Sequence, residues 1–494
     1  MEVVDLSEAR IAAWKSAVLP IYEPGLNAIV EPARDATDGR AKPNLHFSTD
    51  VPGAIRRADL IFIAVNTPTK VAGVGAGSAS DLGYLESAAR TIAEVADTDK
   101  IIVEKSTVPV GTADFLRGTL DALGSSDITF DILSNPEFLA EGTAIDDLLN
   151  PDRVLIGSLK DERSRAAAQA LCDVYSWVPN ERIVQIDVWT SELAKLAANC
   201  MLAQRISSIN SLSAICEATG ADIEELSYAV GRDVRIGSKM LKASVGFGGS
   251  CFKKDVLSLV YIAESLHLPD VARYWKSVVD LNEYQKRRFA KHVVRTLNNT
   301  LTRKRIAILG WAYKKNTGDT RETAAIAIAG QLLAEGAHLA IYDPQVKEEQ
   351  IYRDLELDTP AARAHVSVER AGLDACVGAC AVIILTEWTE FTTDRLTDTA
   401  EDTSDALSGG DTTASSDSGV DVQECTHGDS TNVALKEISR VERDEKRLDW
   451  RSVARVVQRP RLVFDGRNIV EPDKLISLGF RVDSIGKVNL FPRF

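Results

Sequence analysis

Leu60-Ile-Phe-Ile-Ala-Val-Asn-Thr-Pro-Thr69 is an apolar run that breaks at residue 66 into a polar tetrapeptide. An apolar run without polar alternation reads as a strand buried on both faces, as in a parallel sheet. A helical pattern follows over 81–96, then a second strand over 101–104, a helix over 110–123 and a third strand over 130–133. Strand–helix alternation predicts a parallel sheet covered by helices. Ligands of such sheets bind at the carboxyl ends of the strands. Polar residues gather there: Asp5 after a candidate strand at 2–4, Asn66-Thr-Pro-Thr69, Lys105-Ser-Thr107 and Asn135-Pro-Glu137.

The pattern recurs further on. Strands are expected at 306–309, 338–342, 381–385 and 461–464, with a helix at 322–335. Between the two units lies a helical stretch. A long helix is predicted over 191–219, capped by Ser191, stopped by Gly220 and apolar enough all round to be buried. The expected fold is α/β, with two doubly wound Rossmann-like domains joined by a helical core, divided as 1–188, 189–300 and 301–494. Residues 394–446, rich in Asp, Ser, Thr and Gly, read as a disordered acidic insertion in the last domain.

Composition narrows the partners. The chain has 494 residues and a formal net charge of −15, which argues against nucleic acid. Nine acids and no Lys or Arg fall in 398–430. The seven cysteines (172, 200, 216, 251, 376, 380, 425) are scattered, as in a reduced protein. Cys425-Thr-His427 lacks the further ligands a zinc site needs, so no metal is expected. With no apolar run of membrane-spanning length and no signal-peptide pattern at residue 1, a cytoplasmic protein without a membrane partner is expected.

Gly246-Phe-Gly-Gly-Ser-Cys251 is followed by Phe-Lys-Lys-Asp255 and then by apolar helical periodicity. A thiol at a helix start sits where the dipole favours thiolate. The glycines let backbone approach a ligand, and Asp255 lies four residues on, on the same face. A buried cysteine beside a tight turn is the bland alternative; the glycines, helix start and acid together weigh against it. Lys195 and Asn199 share a face of the long helix and suit an oxyanion, whereas a structural Lys195 would snorkel to the surface. Asp5, at a strand end, suits the ribose of NAD or serves as an ordinary helix cap. Glu137 and Glu141 occupy a strand's carboxyl end.

These residues stand in longer segments: Leu19-Pro-Ile-Tyr-Glu-Pro-Gly25, Val65-Asn-Thr-Pro-Thr69, Glu104-Lys-Ser-Thr-Val-Pro-Val110, Leu133-Ser-Asn-Pro-Glu-Phe-Leu-Ala-Glu-Gly-Thr-Ala-Ile145, Asn150-Pro-Asp-Arg-Val-Leu-Ile-Gly157, Leu202-Ala-Gln-Arg-Ile-Ser-Ser-Ile-Asn210, Ala243-Ser-Val-Gly-Phe-Gly-Gly-Ser-Cys-Phe252 and Thr317-Gly-Asp-Thr-Arg321. Over nearly the whole chain outside the insertion they resemble the UDP-glucose 6-dehydrogenases of the UDP-glucose/GDP-mannose dehydrogenase family, most of all the animal and fungal type. The resemblance implies an NAD-binding first domain, a helical dimerisation core and a UDP-binding last domain. It also implies a homo-oligomer of dimers, up to hexamers, and two successive oxidations of UDP-glucose at C6. Cys251 matches the nucleophile; Thr107, Glu137, Lys195, Asn199 and Asp255 match its catalytic surround. Asp5, Arg10, Val65, Asn66, Thr67, Pro68, Thr69, Ser106, Thr107, Glu141 and Arg321 match NAD contacts. Substrate contacts fall on Glu137, Phe138, Leu139, Ala140, Glu141, Lys195, Asn199, Arg235, Tyr313, Lys314 and Arg467, and on the loop Lys242, Ala243, Ser244, Val245, Gly246, Phe247, Gly248. At least one of Arg235 and Arg467 is expected to serve a neighbouring subunit.

One departure stands out. The family's first strand, Gly-rich turn and helix precede the strand that here ends at Asp5, and no G-x-G-x-x-G occurs in the chain. The expectation is an incomplete first domain with two open strand edges and weak NAD binding. The alternatives are a dehydrogenase for another nucleotide sugar, GDP-mannose or UDP-N-acetylmannosamine, and an impaired subunit that binds UDP-sugar only.

Overall fold

The computed structural model describes residues 1–37, 39, 42–393 and 447–487. The expected acidic insertion, with Cys425 and His427, lies outside the described residues. Three sheets organise the chain. The first pairs β1 (Glu2–Val4) with β2 (His46–Ser48) in parallel. The second has the order β3-β4-β5-β6-β7, made of Leu60–Ile63, Lys100–Glu104, Phe130–Ser134, Val154–Ser158 and Ile183–Asp187. Its pairs are parallel except β5 with β6. The third has the order β10-β9-β8-β11-β12-β13, parallel throughout. Its strands are Arg305–Leu309 (β8), His338–Tyr342 (β9), Val366–Val368 (β10), Ala381–Ile384 (β11), Leu462–Asp465 (β12) and Arg481–Ser484 (β13). The reversal of order between β8 and β11 is the doubly wound switch point.

Helices cover these sheets as the apolar runs require. On one face of the second sheet, Leu85, Ile92, Leu116 and Leu120 from helices Gly83–Val95 and Thr112–Leu123 pack on Ile102 and Ile132. On the other, Ala167, Ala168 and Leu171 of helix Glu162–Val174 meet Val103, Leu133 and Ile156. The small β1–β2 sheet has its own cluster, in which Trp14 stacks on Phe47 at 5.6 Å. Among the described residues, β1 and β3 each pair on one side only.

Among the described residues the helical core holds four helices, Val188–Thr219, Ile223–Gly231, Phe252–Ser265 and Pro269–Thr296. The long helix begins earlier than predicted. Asp187 is its cap, accepting from the Thr190 N–H, whereas Ser191 is buried inside it and bonds the Ser134 hydroxyl at 3.0 Å. An acid reaching the free N–H groups does what the serine was expected to do. Gly220 ends the helix at φ +91°, as expected. The helix is not buried all round: Lys195, Leu196 and Asn199 face inward, while Leu193, Met201 and Ile215 are exposed. Similarly, helix 322–335 starts two residues late, at Ala324 with Thr323 as its cap, since Glu322 takes a left-handed φ of +54°.

Ile383 on β11 is flanked by β8 and β12 and is fully buried. Ile383→Ala is expected to cost about 2–5 kcal/mol. The check is a lower urea midpoint with unchanged far-ultraviolet circular dichroism.

Candidate functional site

The carboxyl ends of β3, β4 and β5 meet the amino end of the Cys251 helix. Cys251 is the N-cap of Phe252–Ser265, half-buried, and its carbonyl accepts the Asp255 N–H at 2.8 Å. The glycines before it work by close approach. A Cβ on Gly248 would stand 2.7 Å from the Glu322 carbonyl oxygen, and one on Gly249 2.8 Å from the Tyr313 ring. The Gly249 N–H donates to the Arg321 carbonyl at 2.8 Å. The thiol is thereby set beside Tyr313 and Arg321, both within its electrostatic reach.

One buried pair and one half-buried pair lie beside the cysteine helix. Asn199 donates to the Asp255 carboxylate at 2.6 Å. Asp255 is 1% exposed and its other carboxyl oxygen has no hydrogen-bond partner. Burial pushes this carboxyl above the usual carboxylate range, against the pull of Lys254, whose Nζ lies 3.7 Å away. Lys195 does not snorkel outward. Its Nζ donates to the Glu137 backbone carbonyl and, at 3.0 Å, to the Glu137 carboxylate, and lies over the Phe138 ring at 5.3 Å. An ammonium has three donors, so one remains.

The strand-end loops lock together. Thr67 donates to the Thr107 carbonyl and Ser106 to the Val65 carbonyl, both at 2.7 Å. Lys254 reaches from the cysteine helix to the Thr67 carbonyl at 3.3 Å. The 65–69 loop therefore borders the thiol's helix directly, and the 105–107 loop is joined to it through the 65–69 loop. Glu141 accepts from Thr317 at 3.1 Å and from Arg321 at 3.5 Å, which joins the β5 loop to the third sheet's domain. Burial, then the charge of Asp319, raises the Glu141 carboxyl. Leu139 donates its N–H to the Glu137 carboxylate at 2.7 Å, and Ala140 to Asp147 at 2.9 Å.

The 242–248 loop is held on both sides. The Ser244 N–H donates to the Asn210 amide oxygen at 2.9 Å, and Phe247 donates its N–H to the Asn282 amide oxygen at 2.9 Å and accepts the Asn282 amide N–H on its carbonyl at 3.0 Å. Val245 donates to the Gly466 carbonyl at 2.9 Å, next to Arg467. Arg467 donates to the carbonyls of Leu385 and Tyr313, both at 2.7 Å, and pairs with Glu387 at 3.3 Å. Burial lowers the Lys314 ammonium and raises the Tyr313 phenol. The structure thus links Lys195 to Glu137 and Asn199 to Asp255 on the Cys251 helix, joins Thr107 to that helix through Thr67 and Lys254, and joins Arg467 to Tyr313. It leaves two groups apart. Among the described residues Arg235 bonds Asp233, two positions earlier, and its side chain is 85% exposed. Asp5 and Arg10 pair at 2.9 Å at the end of β1, whose sheet is not hydrogen-bonded to β3.

Two residues near the site received no role from the sequence, although Lys105 was among the polar residues at strand ends. Lys105 bonds Asn135 at 3.0 Å and Tyr175 at 3.1 Å, and burial brings its ammonium down to about 8. Its place after a strand was the available signal. Asn282 gave none, since one polar residue in a long amphipathic helix is ordinary.

Three segments match the UDP-glucose/GDP-mannose dehydrogenase family: its NAD binding domain at 1–177, central domain at 189–284 and UDP binding domain at 307–407. A UDP-glucose 6-dehydrogenase of Oryza sativa subsp. japonica is 49% identical over 98% of this chain and 91% of its own. That of Mus musculus is 48% identical over 98% and 87%, so plant and animal proteins stand equally near. The solved UDP-glucose dehydrogenase of Pyrobaculum islandicum superposes with a TM-score of 0.74 at 28% identity, covering 99% of this chain and 92% of that one.

Asn282→Ala strands two buried backbone groups of Phe247, at a cost of about 1–3 kcal/mol. The expected outcome is a lower melting temperature and looser protection of amides 244–248 in hydrogen exchange.

Proposed function

We propose that this chain, which belongs to the UDP-glucose/GDP-mannose dehydrogenase family and is an NAD-dependent oxidoreductase, oxidises UDP-glucose twice at C6 to UDP-glucuronate through a covalent cysteine intermediate. The observation that carries the reading is the helix-start Cys251 on the same helix as Asp255, whose carboxylate pairs with Asn199, with the Lys195–Glu137 pair one turn before Asn199 on the long helix. The parts divide as an NAD-binding domain at 1–188, a dimerisation core at 189–300 and a UDP-binding domain at 301–494.

The residues at the end of β3 fit a cofactor, because Lys254 draws the 65–69 loop against the cysteine helix and Asp255 keeps an unused acceptor. Val65, Asn66, Thr67, Pro68, Thr69, Ser106, Thr107, Glu141 and Arg321 would hold NAD, with Asp5 and Arg10 at its ribose end. Bound there in turn, two NAD molecules would each accept one hydride. Asp255, raised by burial, is poised nearer neutrality than an exposed acid and takes the C6 hydroxyl proton through a water shared with Thr107. The Cys251 thiolate then adds to the aldehyde, forming a thiohemiacetal that keeps the reactive carbonyl in the site. The spare Lys195 donor and the second amide hydrogen of Asn199 face its oxyanion. The second oxidation leaves a thioester, and Glu137 or Asp255 directs the water that cleaves it.

Substrate is read by Glu137, Phe138, Leu139 and Ala140, by the 242–248 loop, and by Tyr313, Lys314 and Arg467. The exposed Arg235 serves a neighbouring subunit in a homo-oligomer of dimers that reaches hexamers. Exposed Trp189, Leu193, Met201 and Ile215 on the long helix supply an apolar face for that assembly. No helix among the described residues is long and apolar enough to cross a membrane, and the cytoplasm is the proposed compartment.

Cys251→Ser should abolish net NADH production while leaving UDP-sugar affinity, by calorimetry, within a few-fold of wild type; wild-type turnover would defeat the thioester scheme. In a panel of UDP-glucose, GDP-mannose and UDP-N-acetylmannosamine, NADH absorbance should rise with UDP-glucose. Binding of UDP-glucose without NADH would leave a binding subunit instead.

A further inference from the structure

Glu104 and Glu192 meet behind the site. Glu104 ends β4 and is 1% exposed. Neither of its carboxyl oxygens faces a hydrogen-bond donor. What it faces is another acceptor, the carboxyl of Glu192 on the long helix, 2% exposed. Glu192 already has an anion's partners: it accepts the N–H of Gly111 at 2.7 Å and of Ala113 at 2.8 Å. It thereby caps helix Thr112–Leu123, whose own N-cap, Gly111, has no side chain to do so. Two carboxylates in contact without a cation cannot both ionise, and a hydrogen bond exists between them only when one carries a proton. The two N–H donors keep the charge on Glu192, so the proton falls on Glu104. The other charge acting on the pair is Asp114, on the capped helix, which accepts the Trp189 indole N–H at 2.8 Å. Lys105, next in sequence to Glu104, bonds Asn135 and Tyr175 instead.

We propose that Glu104 is the protonated partner of a carboxylic acid–carboxylate hydrogen bond to Glu192, and that this bond is the positioning contact that sets the long helix against the Thr107 loop. Glu192, Lys195 and Asn199 follow at i, i+3 and i+7 on one helix face, so a bond at the first fixes the phase of the other two. Thr107 is three residues beyond Glu104, on the same strand-end loop. The positioning part rests on the reading of Lys195, Asn199 and Thr107 as catalytic; the proton's location does not.

The acid–base sign follows. Burial first, and then the Glu192 charge, raises the folded Glu104 well above its ordinary range. The stabilisation from its proton is complete below the unfolded pKa, about 4.3 for glutamate, and is lost as pH rises through the folded value. Glu104→Gln keeps an N–H donor toward Glu192 at every pH.

The test uses the full chain. In infrared difference spectra at neutral pH, wild type minus Glu104→Gln should show a protonated-carboxyl stretch, since acids common to both cancel. Glu104→Gln should also flatten the fall of melting temperature with rising pH. Neither readout needs substrate, so both stand if the assigned reaction is wrong. Glu104→Leu, of similar size but without a donor, should loosen amide exchange at 111–113 and 188–199. It should also lower kcat about 10- to 100-fold with KM for the UDP-sugar little changed, and Glu104→Gln should restore both. A missing carboxyl band, or a wild-type pH slope in Glu104→Gln, overturns the proton's placement. Unchanged exchange and kcat in Glu104→Leu overturn the positioning role.

Discussion

A lysine ammonium inside the protein is the constraint around which the site is arranged. Lys195 is 4% exposed, and a buried charge is tolerated only when its donors are met. The partners come from one place, the backbone and carboxylate of Glu137 at the end of β5, with the Phe138 ring alongside. The same loop continues to Glu141, which bonds Thr317 and Arg321. Satisfying one buried cation therefore binds the second sheet to the helical core, and the loop that does so carries on to the third sheet's domain.

Close backbone packing completes the junction. The loop before Cys251 passes between helix Pro269–Thr296 and the third sheet, where Gly248 and Gly249 lie against Glu322 and Tyr313 with no room for a Cβ. A Cβ on Gly466 would likewise stand 2.5 Å from Val245. Asn282 replaces the missing sheet partner of Phe247, serving its N–H and its carbonyl at once. The thiol's position is thus fixed by groups from two domains.

Much of this was legible in the chain. Apolar runs ending in polar residues located the strands and the cleft at their carboxyl ends, because a strand buried on both faces must be apolar and its polar residues can lie only at its ends. The helix start at Cys251 and the i, i+4 pair of Lys195 and Asn199 were also readable, being local. The cap of the long helix was misplaced, since Asp187 and Ser191 are both good caps and only packing against Ser134 buries the latter. The exposed face of that helix was missed because composition does not say which apolar side chains find neighbours within one chain.

By itself, then, the sequence determined the two α/β units, the helical core and the residue types at the strand ends, since these follow from periodicity and short-range spacing. Only the tertiary structure decided which groups meet across long separations. Asn199 faces Asp255, Lys195 faces Glu137, Glu104 faces Glu192, and Arg235 stands apart with Asp233. Such pairings depend on how sheets and helices dock. That docking is set by buried charges seeking partners and by glycines allowing contact, neither of which leaves a local signature in the chain.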